Sequence, residues 1–148
     1  MLEREIEDYF IDNLDKIDND LSLLKRQYVI NRHKKKIGII DILCVQNTNN
    51  RYVIIEIKKG DLVARDIGQI LAYYNVLKDI NLLGSVKKEE SKIIFICTGV
   101  DPQFLLAYKT LVGIGIDMEI KIIKQDCLGE LSLDNYFDDE YGMLILKK

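Results

Sequence analysis

The sequence predicts an α/β protein in which a mixed β-sheet is flanked by helices, with elements in the order α-β-β-β-α-β-α-β. Three observations support this order. Residues 2–17 and 62–79 carry apolar side chains at the three- and four-residue spacing of amphipathic helices. Between and after them lie short runs dominated by Ile and Val, the composition of buried strands. The first three of those runs are joined by short polar connections, which suit antiparallel hairpins.

The first helix shows Leu2, Ile6, Tyr9, Phe10, Leu14 and Ile17 on one face, with Glu3, Glu5, Glu7, Asp8, Asp12 and Asp15 around it. Acids in its first turns complement the positive end of the helix dipole. A short helical or irregular stretch is expected over Asp18–Leu24. The pattern then becomes that of strands, at Gln27–Asn31, Ile37–Val45 and Arg51–Lys58, with turns at Arg32–Lys36 and Gln46–Asn50. Gly60 and Asp61 are expected to end the third strand. Val63, Ile67, Ile70, Leu71, Tyr74 and Leu77 mark the second helix, over Leu62–Asp79. Lys92–Cys97 reads as a buried strand. Asp101 before the only proline, Pro102, reads as an N-cap with Pro in the first helical position, opening a helix to about Val112. Met118–Ile123 is a further strand, and a last one is expected at Met143–Leu146. Strand three, helix two and strand four form a crossover, expected to be right-handed with its strands parallel.

A length of 148 residues matches roughly one domain, so residues 1–148 are expected to form a single unit. With 48% apolar and 30% charged residues, the chain has the composition of a globular protein, not a disordered one. No apolar run approaches the ~20 residues of a membrane span, so no membrane partner is expected. The acidic start MLEREIEDYF lacks a basic segment followed by an apolar one, so no signal peptide is expected. Cys44, Cys97 and Cys127 are odd in number and lack CxxC spacing, which fits free thiols in a reducing cytoplasm. His33 is the only histidine, so a His/Cys metal cage is excluded and any metal must be a hard cation on carboxylates.

The net charge, 21 − 24 = −3, gives no global attraction to nucleic acid, but the charge is unevenly placed. Lys25, Arg26, Arg32, His33, Lys34, Lys35 and Lys36 follow one another with no acid among them, whereas Asp134–Glu140 holds four acids. Read alone, such a basic run is a solvated turn.

Asp41 in Gly38-Ile39-Ile40-Asp41 and Glu56 and Lys58 in Ile55-Glu56-Ile57-Lys58 break two otherwise apolar strands. Side chains alternate along a strand, so Glu56 and Lys58 share a face opposite Ile55 and Ile57. The short turn between the strands can bring Asp41 beside Glu56. A lone Glu-x-Lys is usually a surface ion pair. A second carboxylate in the adjoining strand weakens that reading, because charges in such strands are costly unless paired or bound to a cation. Two carboxylates suit Mg²⁺, or Mn²⁺, at ~2.1 Å with water completing the octahedron. Such a cation polarises a phosphate and acidifies a bound water, while the lysine orients or deprotonates the attacking water.

At these residues the sequence resembles the PD-(D/E)XK nuclease superfamily, with Asp41 as its aspartate and Glu56-Ile57-Lys58 as its (D/E)XK. More narrowly, EREIEDYF, RQYVI, GIIDIL, YVIIEIKKG and GQILAYY, in this order, resemble the catalytic domain of NucS-type endonucleases. Gln69-Ile70-Leu71-Ala72-Tyr73 resembles the QxxxY element of the RecB-like group. The resemblance spans residues 1 to about 123 and implies a restriction-endonuclease-like core. It implies that Asp41, Glu56 and the Ile57 carbonyl are metal ligands and that Lys58 is the catalytic lysine. Gln69 would position water or phosphate. A first-helix acid would complete the site: the ERxI spacing favours Glu3, with Glu7 one turn on as the alternative. Tyr73 would support Gln69, contact DNA, or simply fill the core.

The activity so implied is metal-dependent hydrolysis of phosphodiester bonds in DNA, in repair, recombination or defence. The alternative is a non-catalytic DNA-binding or assembly module that keeps the fold. A nucleotide-binding α/β protein is excluded by the lack of a Gly-rich phosphate loop after a strand. The DNA partner would be single-stranded, branched or mismatched. The chain departs from the resemblance in two ways: Ala72 replaces a basic residue frequent before the QxxxY tyrosine, and no counterpart of the N-terminal DNA-binding and dimerisation domain of NucS proteins is expected. Lys34, Lys35, Lys36, Lys59 and Arg65 are therefore expected to contact phosphates, the basic turn lying about four residues, or ~13 Å, from Asp41. A homodimer carrying two such turns is expected to restore the grip.

Overall fold

The structure, a computed structural model, describes residues 1–80, 82, 91–138 and 144–147. Helix α1 spans Glu3–Asp12, and a 3₁₀ turn at Leu14–Lys16 leads into strand β1, Leu21–Arg32. Then come β2 (Lys35–Gln46), β3 (Arg51–Leu62), α2 (Ala64–Leu77), β4 (Lys92–Val100) and α3 (Pro102–Gly113). The chain closes with β5 (Asp117–Gln125), β6 (Leu131–Asp138) and β7 (Leu144–Lys147). All seven strands form one sheet in chain order. β1–β2–β3 are antiparallel, β3–β4–β5 parallel, and β5–β6–β7 antiparallel, so the sheet is mixed as expected.

Two apolar layers hold the sheet. On one face Ile30, Ile40, Ile54, Phe95, Cys97 and Ile120 pack against Ile67, Ile70 and Tyr73 of α2 and Phe104 of α3. On the other, Ile42, Cys44, Val53, Ile55, Ile57, Ile94 and Ile96 pack against Ile6 and Phe10 of α1 and Ile17. α1 ends earlier than its apolar face suggests, at Asp12, and the 3₁₀ turn delivers Ile17 to the core. Asp101 caps α3 as expected: its carboxylate accepts from the Gln103 N–H at 2.9 Å, with Pro102 opening the helix.

Three expectations need correction. The stretch Asp18–Leu24 is not helical, since β1 begins at Leu21 and pairs from there with Gln46. Its alternation is hidden by two irregularities, a register shift between Leu23 and Lys25 and a left-handed Gln27 at φ 50. Gly60 and Asp61 do not end β3. Gly60, at φ 132, sits in a register shift between Lys58 and Asp61, after which Asp61 pairs with Gly99. β6, LSLDNYFD, has no counterpart among the expected elements, because it contains no Ile or Val and lacks the composition used to find the other strands; it is ordered by pairing with β5. Of the final predicted strand, Leu144–Leu146 lies in β7 and Met143 lies outside the described residues.

Two features of the first three strands prepare a site. β2 and β3 pair only from Ile42–Ile55 to Gln46–Arg51, so their ladder stops just before Asp41 and Glu56. Alternation also breaks there: Ile40 packs on the α2 face and Ile42, two residues on, on the α1 face. Beside the break, the Tyr73 ring lies over Gly38, where a Cβ would fall 2.1 Å from the tyrosine oxygen. Gly38→Ala is expected to displace Tyr73 and cost ~1–3 kcal/mol, the usual penalty of overpacking. Urea unfolding checks this; a variant as stable as the parent would show that the ring is free to move aside.

Candidate active site

Asp41 and Glu56 face each other where the β2–β3 ladder stops. The Asp41 carboxylate accepts the Ile57 N–H of β3 at 2.8 Å, and the Glu56 carboxylate accepts the Asp41 N–H of β2 at 3.2 Å. Each acid thus takes a backbone donor of the opposite strand in place of a ladder bond. Glu56 and Lys58 point to the α2 side, while Ile55 and Ile57 lie in the α1-side layer.

Burial opposes the charge of both acids. It pushes the Asp41 carboxyl above its ordinary range, against the hydrogen bonds that it accepts. The Glu56 carboxyl is pushed up to about 9, by burial first and then by the Asp41 charge. The pair therefore holds a proton at neutral pH when no cation is bound.

Two cavities meet at Asp41. One, of about 310 Å³, is lined by Asp41, Glu56, Lys58, Asp66, Gln69 and Tyr73, among others. The second, of about 570 Å³, is lined by Glu3, Arg4, Glu7, Arg26, Gln27, Asp41 and Ile57. Asp41, Ile57 and Glu3 border both. Glu3 is exposed and accepts the Lys59 N–H at 3.0 Å, tying the start of α1 to β3. Glu7 is 5% exposed and accepts from Arg26 Nε at 2.6 Å and from Gln27 Nε2 at 2.5 Å. Gln27 Nε2 also lies 3.3 Å from Asp41 Oδ1, so Glu7, Gln27 and Asp41 form a chain from α1 to the carboxylate pair. Both first-helix acids thus reach the site, Glu3 at its rim and Glu7 through Gln27.

Lys58 Nζ is bound to Asp66 Oδ2 at 2.8 Å, and the same oxygen accepts the Val63 N–H at 2.8 Å to cap α2. Gln69 Nε2 donates to the Tyr73 hydroxyl at 2.7 Å, which also accepts the Ile39 N–H at 3.2 Å. Tyr73 is 1% exposed, which corrects the expected DNA contact: this ring supports Gln69 from within the core. Lys34, Lys35, Lys36, Lys59 and Arg65 are all exposed. The distance from the basic turn also needs correction: β2 starts at Lys35, six residues before Asp41, or ~20 Å at ~3.3 Å per residue. Arg26 does not belong to that turn, since Glu7 and Asp8 bind it.

The sequence alone missed Gln27, Arg26 and Asp66. Arg26 and Gln27 are polar residues in the middle of β1 and Asp66 lies in the first turn of α2, and only the partner gives each a role. The single signal was the acid at the third position of α2, a capping-box residue.

The donor chemistry fits a hard divalent cation. Two crowded carboxylates, one holding a proton in an apolar strand, border a cavity with polar walls, and a cation can replace that proton. Among the described residues no three of His, Cys, Asp and Glu converge to hold a metal by themselves. A cation here would need further oxygen donors beyond this pair.

Residues 2–102 match the model of the endonuclease NucS C-terminal domain family, a span that includes every residue of both cavities. No curated protein matches the chain. Among solved structures, a repair endonuclease from Pyrococcus abyssi is similar at TM-score 0.57 and 24% identity, over 80% of this chain and 46% of that one. An EndoMS–dsDNA complex is similar at TM-score 0.60 and 18% identity, over 80% and 43%. Pyrococcus furiosus SfsA in complex with Ca²⁺ is similar at TM-score 0.51 and 12% identity, over 88% and 60%. At these identities the likeness shows the fold, and the chain spans less than two thirds of each of those proteins.

The shared proton gives the metal-free protein a defined pH dependence. The folded state holds a proton on Glu56 up to about pH 9, whereas the unfolded chain releases it in the ordinary carboxylate range. Stability contributed by this group therefore falls as pH rises between those limits. Glu56→Gln keeps a donor like that of the protonated acid and carries no charge. With EDTA, its melting temperature is expected to exceed that of the parent by several degrees near pH 8, the gap closing towards pH 5. A constant gap across that range would remove the shared proton.

Proposed function

The chain belongs to the family of endonuclease NucS C-terminal domains, and from that premise we propose that it is a metal-dependent DNA endonuclease that hydrolyses phosphodiester bonds. The observation that supports this reading is the interlocked Asp41–Glu56 pair, with Lys58 and Gln69 on the same cavity. Both carboxylates are half-buried, and a lysine and an amide stand with them beside open space.

In this reading Asp41, Glu56 and the Ile57 carbonyl hold Mg²⁺ or Mn²⁺, which when bound polarises the scissile phosphate and acidifies water. Glu3, at the rim of both cavities, adds an acid towards the same space. Asp66 fixes the Lys58 ammonium at the cavity wall, where it faces negative charge developing on the phosphate. Gln69, held by Tyr73, offers its amide to water or a phosphate oxygen. Lys34, Lys35, Lys36, Lys59 and Arg65 bind the phosphate backbone, a contact that is sequence-independent and salt-sensitive. Residues 1–148 act as one nuclease domain, working as a homodimer. The Pyrococcus abyssi relative is a repair endonuclease and the EndoMS structure holds double-stranded DNA, which support a role in repair.

A second reading, a non-catalytic DNA-binding module, draws on one observation: the Lys58 ammonium is engaged by Asp66. Cleavage separates the two. Purified protein is expected to cut DNA from a panel of mismatched, branched and single-stranded substrates with Mg²⁺ or Mn²⁺, and not with EDTA. Asp41→Asn, Glu56→Gln and Lys58→Ala are each expected to lower the rate by on the order of 10³-fold or more while keeping a cooperative melt. A parent that cuts nothing on that panel, or folded variants that cut at its rate, would exclude the nuclease reading.

A further inference from the structure

Beyond Ile42, β2 has no backbone pair with β3, while β1 and β2 stay paired out to Arg32–Lys35. The two strands thus leave the sheet as a separate ribbon. Its tip is a two-residue turn, His33 at φ 51 and Lys34 at φ 64, the conformation that lets a twisted hairpin close without splaying. Residues 31–37 are all exposed, and Arg32, Lys34, Lys35 and Lys36 lie among them with no acid. Arg32 lies 3.9 Å from one carboxylate, that of Asp79 in the segment after α2.

We propose that this β1–β2 ribbon enters the major groove of duplex DNA beside the cut site. The proposal rests on the DNA reading above and adds the form of DNA and the mode of contact. Dimensions support it. Paired strands are ~4.8 Å apart, and with side chains such a ribbon fits a groove ~12 Å wide but not one ~6 Å wide. The exposed tip, two residues on β1 and three on β2, or ~7–10 Å long, matches a groove depth of ~8.5 Å.

Composition separates duplex from single strand. Unpaired bases are held chiefly by stacking on aromatic rings. Residues 29–39 contain no Phe, Tyr or Trp, and Tyr28 at the base of the ribbon packs into the α2-side core. The ribbon offers cations to two phosphate rails and, apart from the His33 ring at the turn, no aromatic face on which a splayed base could stack. From Lys35 to Asp41 is six residues, at most ~20 Å, so the groove contact and the carboxylates can reach the same duplex.

The test uses full-length protein in EDTA, so that binding is read without cleavage. Three probes of one sequence are compared: plain duplex, duplex whose cytosines carry bulky glucosyl-hydroxymethyl groups that fill the major groove, and single strand. The parent is expected to bind the blocked duplex at least tenfold more weakly than the plain one. Lys34→Ala/Lys35→Ala/Lys36→Ala is expected to lose affinity for plain duplex, to show a flatter salt dependence, and to become indifferent to the block, with single-strand binding little changed. Equal binding of both duplexes by the parent, persistent sensitivity to the block in the triple variant, or equal loss on duplex and single strand would each overturn the proposal. A parent that cuts DNA yet ignores the block refutes the ribbon alone. One that shows ribbon-dependent binding yet no cleavage refutes the nuclease reading alone.

Discussion

The reciprocal hold between Asp41 and Glu56 governs the geometry around it. Each carboxylate takes a backbone N–H of the other's strand, so the two acids stand in for ladder bonds between β2 and β3. An unmade buried backbone bond costs about as much as the hydrogen bond itself, so the strands can part there only because these side chains replace it. The arrangement still places two carboxylates in an apolar setting, and the outcome is visible in Glu56, whose proton is retained far above its ordinary range. Parting the strands opens the cavities on either side of Asp41, and beyond the break it leaves β1 and β2 to run on without β3.

The layers on each face stabilise this unfavourable arrangement. On the α2 side, absence of a side chain at Gly38 admits the Tyr73 ring, whose hydroxyl takes the Ile39 N–H and the Gln69 amide together. A backbone donor next to the break is thereby satisfied by the residue that orients Gln69. On the α1 side, Glu7 is buried and would be costly alone. Arg26 and Gln27 bind it, and Gln27 reaches Asp41 from a left-handed backbone conformation that few non-glycine residues adopt. Both helices are therefore joined to the carboxylate pair by hydrogen bonds as well as by packing.

What was legible in the sequence follows from which signals are local. Runs rich in Ile and Val place β2 and β3, the Asp101-Pro102 pair places α3, and the interval from Lys58 to Lys92 requires a crossover between parallel strands. Asp41, Glu56 and Lys58 stood out because charge in an apolar strand is rare. The start of β1 is not legible, because the register shift after Leu23 and the left-handed backbone at Gln27 disturb alternation over just those residues. Gln27 and Asp66 read as ordinary polar residues, since their partners lie 14 and 8 positions away in sequence. Tyr73 was ambiguous for another reason. Helical spacing shows which residues share a face, but the pocket above Gly38 that buries this ring belongs to a different strand.

The charge distribution explains how a protein of net charge −3 can hold a polyanion and still present it with acids. Glu3, Glu7, Asp41 and Glu56 line the two cavities, and a phosphate approaching them meets repulsion. The lysines of the ribbon cannot cancel it. They begin ~17 Å away along β2, about twice the ~8 Å over which exposed charges are felt at physiological salt. Affinity and reactivity are thus separated in space on the reading proposed here. The ribbon supplies attraction that salt weakens, and the cavities admit phosphate only when a cation on Asp41 and Glu56 has displaced the shared proton. Binding without a divalent cation is then carried by the ribbon, while the carboxylate pair, proton retained, holds the strands apart.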